Sequence, residues 1–320
     1  MKPSSNEYPR LAVLVPCYNE AVTITQVVNE FRQALPQAEI YVYDNNSSDD
    51  TAEVARKAGA TVRHVGLQGK GNVIRRMFAD VEADIYVLVD GDATYHAPSA
   101  PMMVSRLQEG GLDMVVGSRR SDEQAAYRSG HRWGNRMLTG CVTVLFGRSF
   151  SDMLSGYRVF SRRFVKSFPA QAHGFETETE LTVHALELRV PAAEVETPYG
   201  ARPEGSFSKL NTYRDGWRIL QTIFLLLRTE RPLAFFGYIG LAMVVLAAVL
   251  AWPLFITYAQ TGLVPRLPTA VLVMGLLMLA SLSFVCGLVL DTMTRARHEM
   301  KRLAYLVHPA PTTTYHGLPA

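Results

Sequence analysis

Two acidic residues flank one glycine in the segment Asp90-Gly91-Asp92, which directly follows an apolar run at residues 85–89. Paired carboxylates that are held close together repel each other unless a cation lies between them. Oxygen ligands suit a hard divalent cation, Mg²⁺ or Mn²⁺, which also bridges readily to phosphates. We expect the glycine to permit a tight turn that aims both carboxylates at one point. The alternative is that this segment is a solvated turn that binds nothing. A further acid, Asp44, lies at the end of another predicted strand, which favours the cation site.

Short apolar runs and helical patterns alternate along the N-terminal part of the chain. The predicted strands cover residues 11–15, 39–43, 61–64, 85–89 and 113–117, and the predicted helices cover residues 24–35, 49–58 and 70–79. This alternation predicts an α/β domain with a mostly parallel sheet flanked by helices. No Gly-x-Gly-x-x-Gly follows the first strand, so the sequence lacks a dinucleotide-binding fingerprint.

The polar residues that are able to bind a ligand follow the ends of these strands. Asn19 and Glu20 come after the first strand, Asp44 after the second, and Arg119 after the fifth. Ligands of parallel α/β sheets bind beyond the carboxyl ends of the strands. The sequence therefore predicts one site at that edge of the sheet. Lys70 opens a predicted helix whose free backbone amides favour an anion, although a plain helix start explains it equally well.

The overall charge is nearly balanced, with 32 Lys+Arg against 29 Asp+Glu and a net charge of +3. This balance argues against a nucleic-acid backbone as the main partner. Three cysteines, none in a metal-ligand spacing, are too few for a disulfide framework. We therefore expect a reducing compartment and no structural zinc.

Two long apolar segments, residues 233–258 and 267–290, are separated by a short loop that carries Arg266. Each exceeds the roughly 20 residues that a helix needs to cross a membrane. Basic residues flank the outer ends of both segments, so the positive-inside rule predicts a hairpin with both ends in the cytoplasm. The first apolar run, residues 11–15, is too short for a signal peptide. We therefore expect a multi-pass protein of the bacterial inner (cytoplasmic) membrane.

A third helical pattern precedes the hairpin. Apolar residues recur at helical spacing at Trp217, Leu220, Ile223, Phe224 and Leu227. This pattern favours an amphipathic helix in the membrane interface, and an ordinary core helix is the alternative. The predicted organisation is a cytoplasmic catalytic domain at 1–210, a juxtamembrane helix at 211–231, a transmembrane hairpin at 232–294 and a cytoplasmic tail at 295–320.

Four segments occur in the order seen in family-two glycosyltransferases of the GT-A fold: residues 15–20, 44–51, 69–71 and 90–92. With the C-terminal hairpin, the chain resembles the polyprenol-phosphate glycosyltransferases, such as dolichol-phosphate mannose synthase and the bactoprenol glucosyltransferases. The resemblance implies that Asp90 and Asp92 hold the metal on the donor diphosphate. Many relatives carry Gln at the position of Thr94, so the third metal ligand stays open.

The resemblance also implies a set of donor-binding residues. The residues expected to hold the nucleotide-sugar are Pro16, Tyr18, Asn19, Glu20, Asp44, Lys70, Asp90, Gly91, Asp92 and Arg119. The segment 155–158, Ser-Gly-Tyr-Arg, is similar to a family element beside the donor phosphates, which implies a phosphate contact for Arg158. Asp152 is expected near the sugar, to orient a hydroxyl or to act as a base. The implied catalytic residues are Asp92, Asp152 and Arg158.

Residues 202–209, Arg-Pro-Glu-Gly-Ser-Phe-Ser-Lys, resemble the family's Arg-x-x-Gly-x-Ser-Lys loop, with one more residue between the glycine and the Ser-Lys pair, and they precede the hairpin. The residues expected at the acceptor phosphate are Arg128, Arg158, Arg202, Ser208 and Lys209. A generic basic patch beside the membrane is the alternative for this loop.

The sequence therefore predicts an inverting hexose transfer from a nucleotide-sugar, UDP-glucose first and GDP-mannose second, to polyprenyl (undecaprenyl) monophosphate. The predicted cofactor is Mg²⁺ or Mn²⁺. The predicted partners are the nucleotide-sugar donor, the lipid and the membrane, and no nucleic acid is expected. A homo-oligomer is left open. A processive polysaccharide synthase and a non-catalytic membrane scaffold that binds nucleotide-sugar are the alternatives. The synthase motif Gln-x-x-Arg-Trp is absent, since residues 129–133 place Ser where it requires Gln.

Overall fold

A computed structural model describes residues 9–120, 137, 139–144, 146–147, 150–170, 176–203 and 212–311, with the backbone alone described for 212–220. The chain divides into two compact units. The first comprises residues 1–217 and 300–320, and the second comprises residues 218–299.

The first unit is built on a seven-stranded sheet with the order β3-β2-β1-β4-β6-β5-β7. The strands are β1 Leu11–Cys17, β2 Ala38–Asp44, β3 Thr61–His64, β4 Ile85–Leu88, β5 Met114–Arg120, β6 Arg158–Ser161 and β7 Ala192–Pro198. Neighbouring strands are parallel except that β6 runs antiparallel to both β4 and β5. The predicted mostly parallel α/β sheet is confirmed, and the reversed strand was not predicted.

Helices connect and cover the strands. They are α1 Ile24–Ala34, α2 Thr51–Lys57, α3 Lys70–Asp80, α4 Ala100–Glu109, α5 Arg162–Ser167, α6 Thr177–Leu188, α7 Thr212–Glu230, α8 Pro232–Thr261 and α9 Leu267–Leu306. Residues 139–144 are also helical. The first helix is amphipathic: Ile24, Val27, Val28 and Phe31 lie on one face and are all buried.

The core lies on both faces of the sheet. All residues of β1 are buried, as are all residues of β4. A strand that is covered on both faces reads as a continuous apolar run, which is why the sequence predicted β1 and β4 well. By contrast, β7 has a single buried residue, Thr197.

The last turns of α9 belong to the first unit. The Tyr305 hydroxyl donates a hydrogen bond of 2.7 Å to Oδ2 of Asp113, the residue directly before β5. Arg163 donates to both carboxylate oxygens of Asp113 and lies over the Tyr305 ring. Lys301 pairs with Glu187 of α6 at 2.5 Å. These contacts fix residues 301–305 on the domain.

The second unit contains two helices, α8 and α9, that are long and apolar enough to cross a membrane. The Ser283 hydroxyl donates to the Phe236 carbonyl at 2.9 Å, so the two helices lie side by side. Small residues permit this approach, because a Cβ at Gly240 would lie 3.2 Å from the Ala280 carbonyl oxygen. The predicted apolar segments fall within these helices. The orientation of the hairpin and the domain limits stay predictions.

Candidate active site

The acidic turn follows β4 at the carboxyl edge of the sheet. Gly91 is required for space, since a Cβ there would lie 2.6 Å from Cys17 Sγ. The left-handed residue of the turn is Ala93, with φ of 56°. Residues 91 and 92 form the turn that the sequence predicted at Gly91, and the positive φ falls two residues after the glycine. Thr23 fastens the turn by donating from its hydroxyl to the Gly91 carbonyl at 2.7 Å.

Asp90 is held between two other elements. Its Oδ1 lies 2.5 Å from Lys70 Nζ, at the first residue of α3. Its Oδ2 lies against Gly156, where an added Cβ would come within 2.6 Å of that oxygen. Gly156 donates its backbone N–H to the Tyr95 hydroxyl at 2.8 Å, which fixes the segment before β6 beside the carboxylate. The glycine of the 155–158 segment thus makes room for Asp90.

Lys70 also forms an ion pair with Glu178, near the start of α6. Burial lowers the pKa of Lys70, but the Asp90 and Glu178 carboxylates outweigh burial and raise it above its ordinary value. Within the described part of the chain, the other Glu178 oxygen, Oε2, is buried without a hydrogen-bond partner. Sequence reasoning did not assign Glu178 to the site. The available indication was the run of glutamates at 176, 178 and 180 at a helix start.

Asp92 is buried and also paired. Its Oδ2 lies 2.6 Å from Arg202 Nη2. Its Oδ1 accepts hydrogen bonds from the Thr94 hydroxyl at 2.6 Å and from the Thr94 backbone N–H at 3.2 Å. Thr94, the position where many relatives carry Gln, therefore orients Asp92. Arg202, which the sequence assigned to the lipid phosphate, reaches the acidic turn in this structure.

Asp152 and Arg119 form a bidentate ion pair. Arg119 donates from Nε at 2.6 Å to Oδ2 and from Nη2 at 2.8 Å to Oδ1 of Asp152. Burial raises the pKa of Asp152, but the hydrogen bonds and charge of Arg119 outweigh it and hold the pKa below its ordinary value. Arg119 also lies over the Tyr199 ring, 5.4 Å from its centroid. A carboxylate stabilised in this way is a weak base, so positioning is the role that the geometry favours for Asp152.

Arg158 does not face an open site. It is fully buried at the start of β6, and its guanidinium donates to the Ser155 carbonyl at 2.9 Å, the Met153 carbonyl at 2.7 Å and the Thr182 hydroxyl at 2.9 Å. Burial lowers the pKa of Arg158 to about 10, so the side chain is still charged at neutral pH. The expected contacts of Arg158 with donor or acceptor phosphates stay a prediction, and its guanidinium is engaged with protein groups in this structure. In this structure Arg158 ties the preceding loop to α6.

The residues expected at the nucleoside lie on the loops after β1 and β2. Asn19 accepts a hydrogen bond from the Ser48 backbone N–H at 2.8 Å, which joins the two loops. The backbone N–H of Glu20 donates to the Thr51 hydroxyl at 2.8 Å. Asp44 is buried at the end of β2 and lies 3.1 Å from His64 Nδ1. These two loops are therefore fastened to each other at the carboxyl edge of the sheet.

Pro16 is buried within β1, and the Tyr18 side chain is exposed beside it. Three further residues expected at the acceptor phosphate, Arg128, Ser208 and Lys209, lie outside the described residues. Their assignment stays a prediction, as do the substrate roles of the residues that the structure does describe.

The donor set at the acidic turn fits a hard divalent cation. Asp90 and Asp92 supply carboxylate oxygens at one edge of the sheet, and each carboxylate already attracts a positive side chain, Lys70 or Arg202. Oxygen ligands of this type suit Mg²⁺ or Mn²⁺. Asp90 and Asp92 are therefore the residues that would hold the cation.

The fold, with the acidic turn at the carboxyl edge of its sheet, defines an α/β domain of the nucleotide-sugar-binding class. Comparison with known proteins identifies the family. A model described as "Glycosyl transferase family 2" matches residues 12–168. Glycosyltransferase AglJ of Haloferax volcanii is 36% identical over 234 residues, which make up 72% of this chain and 77% of that protein. The chain belongs to glycosyltransferase family 2, and it is a glycosyltransferase with the GT-A fold.

Two further comparisons bear on the substrates. The undecaprenyl-phosphate 4-deoxy-4-formamido-L-arabinose transferase of Edwardsiella ictaluri is 26% identical over 272 residues, covering 79% of this chain and 80% of that protein. Glucosyl-3-phosphoglycerate synthase from Mycobacterium tuberculosis, solved with Mn²⁺, uridine diphosphate and phosphoglyceric acid, has a TM-score of 0.55 and 26% identity. That alignment covers 68% of this chain and 78% of the mycobacterial chain.

Proposed function

We propose that this protein transfers a hexose, with inversion, from a nucleotide-sugar to polyprenyl (undecaprenyl) monophosphate at the cytoplasmic face of the bacterial inner membrane. The product, a polyprenyl-phosphate sugar, supplies glycan assembly or modification. UDP-glucose is the first donor to test and GDP-mannose the second. Mg²⁺ or Mn²⁺ is the proposed cofactor, held by Asp90 and Asp92.

One observation carries the proposal: the acidic turn and several basic side chains converge at the carboxyl edge of a GT-A sheet, in a chain that also has two helices fit to cross a membrane. A soluble acceptor gives no reason for the apolar hairpin, whereas a lipid acceptor does. The relative that acts on undecaprenyl phosphate supports the same class of acceptor.

The acceptor chemistry explains why no strong base is needed. A monophosphate ester has a second pKa of about 6, so it is largely a dianion at neutral pH and is already a nucleophile. Asp152, held by Arg119, would then orient the sugar and would not need to remove a proton. Direct attack of the phosphate oxygen on the anomeric carbon breaks the bond to the nucleotide and inverts the configuration.

The greater difficulty is to bring a dianion to an anionic donor. A bound divalent cation offsets the charge on the leaving diphosphate. Lys70, Arg119 and Arg202 add positive charge at the same edge of the sheet, where charge-assisted hydrogen bonds to phosphate oxygens are strong.

The experiment is a donor panel on the purified membrane protein. The protein is incubated with Mn²⁺, undecaprenyl phosphate and radiolabelled UDP-glucose or GDP-mannose, and the lipid-extractable label is measured. A single labelled sugar on the lipid supports the proposal. A polymeric product would favour the synthase, and no transfer with any donor would favour the scaffold.

Asp92→Asn is the matched test of the acidic turn in this assay. We expect transfer to fall by on the order of a hundredfold or more, because the variant removes a charge from the cation site without changing its size. Glu109→Gln, on the exposed end of α4, makes the same chemical change away from the site and should retain full transfer. Normal transfer by Asp92→Asn would contradict the assigned role of the acidic turn.

A further inference from the structure

Both carboxylates of the acidic turn are neutralised by cations of the same chain. Lys70 Nζ lies 2.5 Å from Asp90 Oδ1, and Arg202 Nη2 lies 2.6 Å from Asp92 Oδ2. The two cations come from distant segments, the start of α3 and the segment after β7. The two negative charges of the turn are thus matched by two positive ones.

We propose that Lys70 and Arg202 are exchangeable counter-ions. They occupy the acidic pair in the ligand-free protein, and they move to the diphosphate of the donor when the divalent cation and the nucleotide bind together. This inference deepens the proposed function, and depends on it only in taking Asp90 and Asp92 as the ligands of the cation.

The argument is one of competition for the same oxygens. A divalent cation and an ammonium or guanidinium group repel each other, so they cannot both lie in contact with one carboxylate oxygen at low cost. A divalent cation that binds alone must displace Lys70 from Asp90 and Arg202 from Asp92 without offering either side chain a new anion. A diphosphate that arrives with the cation supplies new anionic oxygens for them. Cation and nucleotide should therefore each strengthen the binding of the other.

Glu178 makes the exchange feasible for Lys70. This glutamate is buried and pairs with Lys70 independently of Asp90. When Asp90 is taken by the cation, Lys70 keeps one carboxylate partner and stays at the edge of the sheet. Glu178 is thus a positioning residue: it keeps the ammonium group within reach of the donor diphosphate.

The test measures cation and nucleotide binding separately, on the full-length protein in detergent. Free Mn²⁺ is followed by electron paramagnetic resonance, and UDP binding in the presence of Mn²⁺ is followed by calorimetry. In the variant Lys70→Met/Arg202→Met, we expect Mn²⁺ alone to bind about tenfold tighter or more, because its competitors are gone. We expect UDP to bind about tenfold weaker or more, because its phosphate partners are gone.

The opposite directions of these two changes are the diagnostic result. Mn²⁺ affinity that is unchanged or weaker in the double variant, together with weaker UDP binding, would overturn the exchange and leave Lys70 and Arg202 as plain phosphate ligands. Arg202→Met alone should change both affinities in the same directions by a smaller factor, which guards against a folding defect in the double variant.

Lys57→Met is the control for net charge, since Lys57 forms an exposed pair with Glu53 within α2 and should change neither affinity. The outcome is separable from that of the donor panel. If the protein lacks transferase activity but binds Mn²⁺ and UDP as described, the proposed function fails and the exchange stands.

Discussion

Gly156 decides, at the scale of a single residue, whether Asp90 can hold its position. A methyl group at Gly156 would lie 2.6 Å from Asp90 Oδ2 and 3.1 Å from its Cγ, well inside van der Waals contact. The Asp90 side chain is short, so it cannot move away without turning its carboxylate from the site. The glycine in the 155–158 segment is therefore explained by the acidic turn and not by backbone conformation.

We predict that Gly156→Ala weakens Mn²⁺ binding in the presence of UDP by about tenfold or more, because one of the two carboxylates is displaced from its position. Paramagnetic resonance titration measures this change. Gly66→Ala is the matched control, since no atom lies within 4 Å of a Cβ at that position. Equal Mn²⁺ affinity in the two variants would show that Asp90 tolerates the added methyl group.

Residue types at the site were largely predictable, but their contacts were not. Asp90 and Asp92 stand out because two acids directly follow an apolar run. The pairing of Lys70 with Glu178 joins residues that are 108 positions apart, and no local pattern encodes a contact of that range. The left-handed conformation at Ala93 was missed for a different reason, since alanine rarely adopts it.

At the scale of elements, β6 is held by the arginine that opens it. Arg158 donates to two carbonyls of the preceding loop and to Thr182 of α6, so one guanidinium joins loop, strand and helix. Because β6 is antiparallel, its first residue lies at the edge where the parallel strands end. The loop that carries Gly156 therefore depends on Arg158 for its position.

Replacing Arg158 with Met should destabilise the domain by roughly 2–4 kcal/mol, since two buried carbonyls lose their donor. A fall of roughly 5–15 °C in the melting temperature is the expected readout. Arg162→Met, which removes a partly exposed pair with Glu82, should change it little. An Arg158→Met protein with unchanged melting temperature but impaired UDP binding would restore the phosphate role that the sequence suggested.

The sequence predicted the first five strands of the sheet and missed the last two. The runs of β1 and β4 are apolar throughout and buried throughout, and this pattern predicted both as strands. β6 begins with a charged residue and spans Arg158–Ser161, and β7 carries polar residues along Ala192–Pro198. Neither has the apolar run of a central strand, so only the tertiary structure identifies them as strands.

At the scale of the whole molecule, one buried histidine links stability to pH. His184 lies in the core between Phe164 and Phe168, and only its Nε2 has a hydrogen-bond partner in the described residues, the Ser167 hydroxyl at 3.2 Å. Burial, together with the charge of Lys301, lowers the pKa of His184 to about 3. The folded protein thus keeps His184 neutral at a pH where the unfolded chain protonates it.

The folded pKa lies below the unfolded value of 6.5, so this term is fully stabilising above pH 6.5 and is lost as the pH falls toward 3. We expect a loss of roughly 1.4 kcal/mol for each pH unit below about 6. His184→Gln keeps a polar group near Ser167 but does not titrate, so its melting temperature should fall less between pH 6.5 and 4.5 than that of the unaltered protein. An equal fall in the melting temperature of the two proteins over this pH range would contradict the prediction.

The contact of Tyr305 with Asp113 has a practical consequence for anyone who attaches a reporter or an affinity handle to this enzyme. The hydroxyl of Tyr305, the ring face under Arg163 and the ammonium group of Lys301 are all engaged with the catalytic domain. A fusion that truncates the chain before residue 301 would remove these three contacts together. The Asp113 carboxylate would then lose the hydrogen bond from Tyr305. A fusion partner at the C-terminal end should therefore be joined downstream of residue 311, beyond the helix that ends at Leu306 and its contacts.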